Sequence, residues 1–584
     1  MRKLKLFLKV MSFVAFSNLA FGEKIDIQFL ATSDVHGRFC PYDYAINEEN
    51  KSGSLVQVAT AVKKYKTDNT IIVDVGDTIQ DNYSEMFFKD KMHPMMLAMN
   101  EIGYDIWAIG NHEFNYGIDN LKNIMKQSNS KILIGNLYNP DGTNFADSYT
   151  IIEKDGVKIG VIGMCTPNIT KWDSVNLKDY IVTDPVEETK KLVKDLRDKV
   201  DILVATVHMG EDNEYEVPNS GANDLAKNCP ELDLIIAAHE HKLVEGAYVN
   251  DVLIVENKAS AATMSKVNII VEKDEKGCKI VDRKAESIKI SEYPEDLELS
   301  KKLSPYNERA KAEANIIIGE LTGGSLVPAN EIAEIPQAQI EATSLIDFIN
   351  EVQMYYAKAQ VSSAALFNVN ANLEPGKIKK SDTSLIYKYG NTLYKVEMTG
   401  KQLKKYMEWS ASYYNTYKPG DLTISFDENI RGFNYDMFSG VDYQIDISKE
   451  PGNRIKNLKW SKTGKEVKDT DVFVMAVNNY RVNTHLLSYG EIFDEGEELP
   501  KVLEIDVNGK IGGVRELIGD YIKNVKGGKI TPSNPKNWEI IGNDWDEAKH
   551  QKAVDMLKAG KIKIPTSKDG RTPNVKSITE NDIK

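Results

Sequence analysis

The first half of the chain alternates short, continuously apolar runs with amphipathic stretches. The runs are rich in β-branched residues, a pattern typical of strands that are buried on both faces. They are IDIQFLATSD (25–34), TIIVDVGD (70–77), YDIWAIGNHE (104–113), KIGVIGM (158–164), DILVATVHMG (201–210) and LDLIIAAHEH (232–241). Helices are expected between them, for example over 53–66 and over 184–199, where Asp184-Pro185 supplies the cap and first turn. The pattern predicts a layered α/β domain over 23–290.

The remaining chain divides by composition. Residues 291–315 are polar and helix-prone and are interpreted as a linker helix. Mixed α and β patterns over 316–545 predict a second, smaller α+β domain. The last segment, 546–584, is lysine-rich and polar, and we expect weak order there. A chain of 584 residues is too long for one ordinary core, which agrees with two domains.

Residues 1–22 resemble a secretory signal peptide. Four basic residues open the segment, Val10 to Phe16 is mostly apolar, and Ala20-Phe21-Gly22 is a small-x-small cleavage site. The alternative is a membrane anchor, but the apolar run falls short of the ~20 residues that span a bilayer. The expectation is an exported protein, periplasmic or secreted, with no stable membrane anchor.

Composition narrows the choice of partners. The apolar and charged fractions, 41% and 27%, are those of a soluble globular protein. The formal net charge of -14 disfavours a nucleic-acid polymer as partner. None of the four cysteines has a partner at metal-ligand spacing, and a disulfide in an oxidising compartment stays open. We expect a monomer that acts on a small molecule.

Five of the strand-like runs end in side chains that can bind metal. Because the carboxyl ends of parallel strands form one edge of a sheet, these groups should converge. Five of the chain's eight histidines belong to the set, which has no thiolate and suits two divalent ions (Mn, Zn, Fe, Co or Mg). Any one motif alone is explained better by capping of a strand end or helix start, but capping does not explain all five in this order. The candidates are Asp34, His36, Asp77, Asn111, His112, His208, His239 and His241.

The order of these motifs is D-x-H, G-D, G-N-H-E, an isolated His and x-H-x-H, and it resembles the calcineurin-like dinuclear metallophosphoesterases. The resemblance implies two metals bridged by Asp77, with His112 as a non-ligand that faces the substrate. There an imidazolium would stabilise developing charge or protonate the leaving oxygen. The implied ligands are Asp34, His36, Asp77 and His241 for one metal, and Asp77, Asn111, His208 and His239 for the other.

The second half extends the resemblance to the 5'-nucleotidase and 2',3'-cyclic phosphodiesterase family. The matching stretches include IIIGEL (316–321), RGFNYDMFSGVDYQID (431–446) and VFVMAVNNYR (472–481). The family places a nucleobase between aromatic rings from the last two regions. Phe433 or Tyr435 is the candidate for one wall and Tyr480 for the other, with His485, Tyr489 or no residue as alternatives for the second. Ordinary core packing explains any one of these rings equally well. By period two, Phe433 and Tyr435 would share a face.

Departures from the family pattern concern the substrate. Many 5'-nucleotidases have a phosphate-binding arginine where this chain reads FNVNANLEPG (367–376), with Asn370 and Asn372 in its place. Asn115 stands where related 5'-nucleotidases have an aspartate that pairs with the histidine, and several of them have an amide residue where this chain has His241. An amide orients the ring without adding charge. Asn115 as a mere turn former is the alternative.

The resemblance therefore favours an exported, metal-dependent 2',3'-cyclic-nucleotide 2'-phosphodiesterase with 3'-nucleotidase activity. A 5'-nucleotidase, or a UDP-sugar hydrolase-like enzyme, is the nearest alternative. A protein that binds metal or nucleotide without turnover is the alternative from another class.

Overall fold

Two mixed sheets form the first half of the molecule in the computed structural model, which describes residues 23–214, 217–274, 277–568, 570 and 572–584. The first sheet has the strand order Gly277–Lys289, Thr263–Asp274, Glu23–Thr32, Thr70–Asp74, Ile106–Ala108 and Lys131–Leu133. The second has the order Val244–Val249, Val252–Glu256, Leu234–Ala237, Ile202–His208, Val157–Cys165 and Tyr149–Lys154. The expected signal segment, 1–22, lies outside the described residues.

The strands that precede the candidate ligands run parallel. In the first sheet these are Glu23–Thr32, Thr70–Asp74 and Ile106–Ala108, and in the second they are Ile202–His208 and Leu234–Ala237. Antiparallel pairs occupy the edges of the sheets. The motifs therefore leave the same edge of each sheet.

The two sheets pack face to face around a shared apolar layer. Phe29 and Val73 of the first sheet belong to one buried cluster with Val204 and Ile236 of the second. Helices cover the outer faces, where their apolar sides are removed from water. This is the predicted αββα arrangement. The α-helices of this half are Leu55–Tyr65, Pro94–Ile102, Ile118–Met125, Ile169–Trp172, Pro185–Leu196 and Ala222–Asn228.

Two helices illustrate why sequence signals placed them well. The stretch 53–66 forms the helix Leu55–Tyr65. In the other, the Asp184 carboxylate accepts hydrogen bonds from the backbone N–H groups of Val186 and Glu187, and Pro185 occupies the first turn. The helix begins at Pro185 because the cap satisfies two otherwise unpaired N–H groups.

The predicted linker helix is Leu297–Ala314, and it belongs to the first core. Asp296 caps it by accepting from Leu299 N at 3.0 Å. Its buried face, including Leu303 and Ala310, packs in the same cluster as the helices that cover the first sheet. An ion pair from Glu313 to Lys380 then joins its end to the second half. The helix therefore extends the first core to the start of the second.

The second half contains a five-stranded sheet and two smaller ones around one core. The five-stranded sheet has the order Asp436–Ser439, Val361–Ala365, Val472–Asn478, Leu393–Thr399 and Lys501–Glu504. The smaller sheets are Gly376–Lys379, Ile317–Leu321 and Lys529–Ile530, and Ile455–Trp460, Val441–Asp446 and Trp538–Ile541. The α-helices here are Ser344–Ala357, Lys380–Ile386, Gly400–Ala411, Asn479–Arg481, Val514–Asp520 and Glu547–Lys558.

The expected weak order of 546–584 is wrong for the described residues. Glu547–Lys558 is a helix, and its Val554 joins the core of the second half together with Ile564 and Ile578. The backbone N–H of Leu422 donates to Ile578 O at 2.7 Å. The segment is lysine-rich overall, but several of its apolar side chains are buried and anchor it to the core of the second half.

The cysteines and the helix lengths bear on two further points. Cys40, Cys165, Cys229 and Cys278 are free thiols, and Cys165 is buried. No helix of the described chain is long and apolar enough to cross a membrane.

Candidate metal centre and nucleoside site

The structure gathers six of the predicted ligands into two neighbouring groups. Within each group the ligand atoms lie within 4.8 Å of one another. This division agrees with the two ligand sets implied by the family resemblance. The groups are Asp34, His36 and His241, and Asp77, His208 and His239.

Asn111 lies beside the second group, and Asp34 links the first group to it. The Asn111 amide oxygen lies 3.1 Å from His208 Nε2, and one Asp77 carboxylate oxygen lies 3.1 Å from the same nitrogen. Asp34 is 3.9 Å from His208 Nε2 and 3.5 Å from His241 Nε2. The two groups are therefore neighbours, and Asp34 lies near a histidine of each.

The backbone at the ligands is strained. Asp34, His36, Asp77, His239 and His241 all have positive φ, between 47° and 82°. Residues with a Cβ rarely adopt this region, and such conformations cluster at functional sites because the surrounding fold enforces them. The surrounding fold therefore holds these five residues in a conformation that directs their side chains toward the two ligand groups.

Gly110 is required by the close approach of three loops. A Cβ on Gly110 would lie 2.4 Å from Asp77 Oδ1 and 2.8 Å from His208 Cε1. Both distances are shorter than any van der Waals contact. The lack of a side chain at Gly110 therefore lets the loop after the strand Ile106–Ala108 approach Asp77 and His208 closely.

Glu113 holds two ligand loops in register. Its buried carboxylate accepts hydrogen bonds from the backbone N–H groups of Asp77 at 2.8 Å, Thr78 at 2.6 Å and Gly110 at 2.8 Å. A charged acceptor shared by several N–H groups is strong. In the segment GNHEFNYG (110–117), Asn111 thus contacts the second ligand group, while Glu113 fixes the loops that carry the ligands.

Hydrogen bonds to the far side of three imidazoles fix which ring nitrogen faces the centre. His36 Nδ1 lies 2.8 Å from Gln80 Oε1, and His208 Nδ1 lies 2.6 Å from Val75 O, so both rings present Nε2. His239 Nε2 instead contacts Glu214 Oε2 at 2.9 Å, which leaves Nδ1 for the centre. Such partners orient metal-binding histidines and set their tautomers.

Electrostatics at the centre suit cation binding. Burial raises the pKa of Asp34, but His241 and His208 lower it more, to about 2. Burial and the adjacent His241 lower the pKa of His36 to about 4, so its ring is neutral. Burial lowers the pKa of His208, but the carboxylates of Asp77 and Asp34 outweigh it and raise the value to about 10. A cation at His208 would displace that proton.

The donor set itself shows that divalent ions fit. His36 Nε2 and His241 Nε2 lie 3.2 Å apart, and both face the Asp34 carboxylate. Because Gln80 Oε1 accepts from His36 Nδ1, the lone pair of His36 Nε2 faces this cluster and is available to a cation. Two buried carboxylates, four imidazoles and one amide oxygen form a donor set that Mn, Fe, Zn, Co or Mg accepts.

His112 lies beside this centre with a different set of contacts. Its ring is half-buried, 5.6 Å from the ring of His36, and its Nδ1 lies 2.6 Å from the Asn115 amide oxygen. The Asn115 amide nitrogen donates to Asp173 Oδ2 at 3.0 Å. His112 therefore offers Nε2 to a bound molecule, and Asn115 has a defined partner on each side.

The two predicted aromatic regions of the second half meet at Arg481. This buried guanidinium donates from Nη2 to Phe433 O at 2.8 Å and from Nη1 to Asn434 Oδ1 at 3.0 Å. It also pairs with Asp436. Phe433 and Tyr480 are both half-buried. The arginine of NNYR thus holds the RGFNYDMF turn beside Tyr480.

Tyr435 is not available as a wall, and the period-two expectation is wrong. Residues Gly432–Asn434 form a 3₁₀ turn, so Phe433 and Tyr435 point to different surroundings. Tyr435 is 1% exposed, and its ring stacks on Tyr413 at 5.3 Å. Tyr435 is therefore a core residue and not a wall of the base site.

Three other candidates have local structural contacts. His485 is buried against Trp409, with ring centroids 4.7 Å apart, so it offers no free face. Asn372 Oδ1 accepts from Val327 N at 2.8 Å and so braces a neighbouring loop. Asn370 is exposed, and Tyr489 is 50% exposed with its hydroxyl donating to Glu497 O.

Several residues that shape the centre were missed by sequence reasoning. Gln80 follows the stretch TIIVDVGD (70–77) by three residues and Glu113 ends YDIWAIGNHE (104–113), so their proximity to the candidate ligands was a usable signal. Glu214 and Asp173 come from loops without periodicity or motif. Only the tertiary fold brings those two carboxylates to His239 and Asn115.

Together the fold and the site define a metal-dependent phosphoester hydrolase. Two family models match the chain: calcineurin-like phosphoesterase over residues 27–243 and the 5'-nucleotidase C-terminal domain over 318–486. The chain therefore combines a calcineurin-like phosphoesterase domain with a 5'-nucleotidase C-terminal domain. The family resemblance and the enzyme class inferred from the motifs are thereby confirmed.

Several named relatives align over most of the chain. The trifunctional nucleotide phosphoesterase protein YfkN of Bacillus subtilis is 27% identical over 598 residues, covering 88% of this chain; the chain spans only 39% of that protein's length. The 2',3'-cyclic-nucleotide 2'-phosphodiesterase/3'-nucleotidase of Haemophilus influenzae is 26% identical, covering 89% of this chain and 88% of that one. The 5'-nucleotidase of Vibrio vulnificus is 28% identical over 65% of this chain and 74% of its own.

Solved structures agree on the fold. A putative 5'-nucleotidase from Staphylococcus aureus in complex with alpha-ketoglutarate superposes with a TM-score of 0.74 at 20% identity, covering 88% of this chain and 100% of that one. A 5'-nucleotidase precursor from Thermus thermophilus gives 0.61 at 19% identity, covering 88% and 99%. The α/β fold with a smaller second domain, predicted from sequence, is confirmed.

Proposed function

We propose that this chain is an exported 2',3'-cyclic-nucleotide 2'-phosphodiesterase that also acts as a 3'-nucleotidase. The observation that carries the substrate choice is the contact of His112 Nδ1 with the Asn115 amide instead of a carboxylate. Relatives that carry both activities in their names support it. Export rests on the basic and apolar sequence of residues 1–22.

Divalent cations held by the seven ligands would supply Lewis acidity to a phosphoester bound at the centre. His112, with Nδ1 held by Asn115, donates a proton from Nε2 to the leaving oxygen. In the first reaction that oxygen is O2' of the cyclic diester, and water supplies the oxygen that joins phosphorus. In the second it is O3', and the products are nucleoside and inorganic phosphate.

Substrate charge explains the preference for the cyclic diester over a 5'-monophosphate. A 5'-monophosphate is a dianion, and no arginine occurs in 367–376 to grip it. A cyclic 2',3'-diester carries one charge and ring strain, so it needs less cationic help. A 3'-phosphate that forms from it is already at the centre for the second hydrolysis.

A side-by-side assay tests this function. With manganese added, kcat/KM for 2',3'-cAMP and for 3'-AMP is expected to exceed the value for 5'-AMP, with the loss of each substrate measured by chromatography. A clear preference for 5'-AMP over both would identify a 5'-nucleotidase instead. Absence of hydrolysis of all three, and of bis-p-nitrophenyl phosphate, would identify a binding protein without turnover.

Phe433 is proposed as one wall of the base site and Tyr480 as the other. Base stacking on an aromatic ring contributes roughly 1–3 kcal/mol, so Phe433→Ala should raise KM for 2',3'-cAMP about five- to 150-fold. Hydrolysis of bis-p-nitrophenyl phosphate, which has no base, should keep its KM. Tyr489→Ala is the matched control, because this exposed ring is outside the proposed site. A KM rise in that control would assign the second wall to Tyr489.

A further inference from the structure

Asp173 is a buried carboxylate with no role in the chemistry described so far. It follows the short helix Ile169–Trp172 and is 6% exposed. Its Oδ2 accepts from the Asn115 amide nitrogen at 3.0 Å, and its Oδ1 accepts from the Asn176 amide nitrogen at 3.3 Å. Both partners are neutral amides, so the negative charge is not neutralised by a salt bridge.

The charge decides which way the Asn115 amide faces. An ionised carboxylate only accepts hydrogen bonds, so the amide NH₂ must point toward Asp173. The amide oxygen then points toward His112 and accepts a proton from Nδ1. The flipped amide would place its oxygen against the carboxylate and its NH₂ against a protonated ring nitrogen. Burial raises the pKa of Asp173 to about 6, which leaves the carboxyl group ionised at neutral pH.

We propose that Asp173 is a positioning residue that acts on His112 through Asn115. By fixing the amide, it keeps the proton on Nδ1 and turns Nε2 toward the substrate. This role rests on the proposed function, in which His112 protonates the leaving oxygen. It also explains how an asparagine can stand where an aspartate would otherwise hold the histidine: the carboxylate lies one side chain further away.

The segment around Asp173 touches each part of the site. The ring of Trp172 lies 5.3 Å from the ring of His239, a predicted ligand. Ser174 Oγ accepts from the Asn483 amide nitrogen of the second half at 3.2 Å. These contacts hold the Asp173 backbone between the metal centre and the domain that carries the base site, so its carboxylate has a fixed position.

A purely structural role for Asp173 makes different predictions from a positioning role. Loss of stability alone would reduce the amount of active enzyme and affect all substrates equally. A mispositioned acid affects most the substrates whose leaving oxygen needs a proton. Nucleoside alkoxides need it, whereas p-nitrophenolate leaves readily without one.

The test compares Asp173→Asn with the wild-type enzyme on 2',3'-cAMP and bis-p-nitrophenyl phosphate. We expect kcat for the nucleotide to fall about 10- to 100-fold, the usual effect of losing an orienting partner, with KM and metal content unchanged. The loss on the p-nitrophenyl ester should be clearly smaller. Asn115→Leu, which keeps the side-chain size but cannot form either contact, should reproduce the pattern if Asp173→Asn does not fold. Asn176→Ala is the matched control. It removes one hydrogen bond to Asp173 but leaves the contacts from Asp173 to Asn115 and from Asn115 to His112 in place.

A double variant separates this inference from the proposed function. In a His112→Ala background, Asp173→Asn should cause no further loss of kcat, because the residue it positions is gone. Equal losses on both substrates, or additive losses in the double variant, would overturn the positioning role. A large loss in His112→Ala together with wild-type kcat in Asp173→Asn would overturn this inference alone. Wild-type kcat in His112→Ala would overturn both the acid role and the inference built on it.

Discussion

Asp77→Asn should remove metal and activity together. The Asp77 carboxylate lies 3.1 Å from His208 Nε2 in the second ligand group, and the resemblance assigns it to both metals. Its neutral amide replacement withdraws one negative charge from both positions at once. We expect metal affinity to fall by about 100-fold or more, the upper end of what orienting partners alone contribute. Elemental analysis and kcat on 2',3'-cAMP measure the two effects.

The backbone around Asp77 makes this substitution specific to charge. Glu113 holds the loop through the backbone N–H of Asp77, which asparagine retains. The φ of 54° is one that asparagine tolerates well. The loop should therefore keep its conformation, and an unchanged melting temperature in the presence of chelator would show that it does.

Asp74→Asn is the matched control for Asp77→Asn. Asp74 is a buried aspartate at the end of the strand that precedes Asp77, and it accepts from Thr32 Oγ1 at 2.7 Å and Thr78 Oγ1 at 2.5 Å instead of facing the ligand groups. Burial raises its pKa to about 7, so a neutral side chain is a close substitute there. It should retain both metals. Full metal occupancy in Asp77→Asn would contradict the bridging role.

The metal centre could be predicted from sequence because its chemistry and its topology are both local. Each ligand follows an apolar strand, and parallel strands bring their carboxyl ends to one edge. Within the first sheet, no long-range contact had to be guessed to expect Asp34, Asp77 and Asn111 together, whereas His208 joins them through the packing of the second sheet. The helix Pro185–Leu196 was predictable for the same reason, since Asp184 and Pro185 determine its start within one turn.

The base site was harder because an aromatic side chain gives no such local signal. Period two assumes a strand, but residues 432–434 form a turn, and Tyr435 packs in the core while Phe433 stays half-buried. Arg481 decides the conformation of that turn through contacts with Phe433 O and Asn434, some 47 residues away in the chain. Contacts of this kind exist only after folding.

The carboxylates that contact His239 and Asn115 were also difficult to predict from the sequence. Glu214 and Asp173 contact residues 25 and 58 positions away, from loops of no regular pattern. Their effect is nevertheless large, because each fixes the orientation of a group that carries the chemistry. The sequence can predict which atoms react, whereas the partners that hold those atoms depend on how the loops pack.

His112→Ala should leave both metals bound and reduce kcat on 2',3'-cAMP by about 10²–10⁴-fold, the usual cost of a lost general acid. The reason is positional: His36 and His208 belong to the two groups of converging ligand atoms, whereas His112 lies outside both groups, with its Nδ1 held by Asn115. His36→Ala is the matched control, since it should lose metal as well as activity. The loss in His112→Ala should also shrink on bis-p-nitrophenyl phosphate, whose leaving group needs no proton. If His112→Ala instead lost one equivalent of metal by elemental analysis, the imidazole would be a ligand, and the proton for the leaving oxygen would have to come from another group.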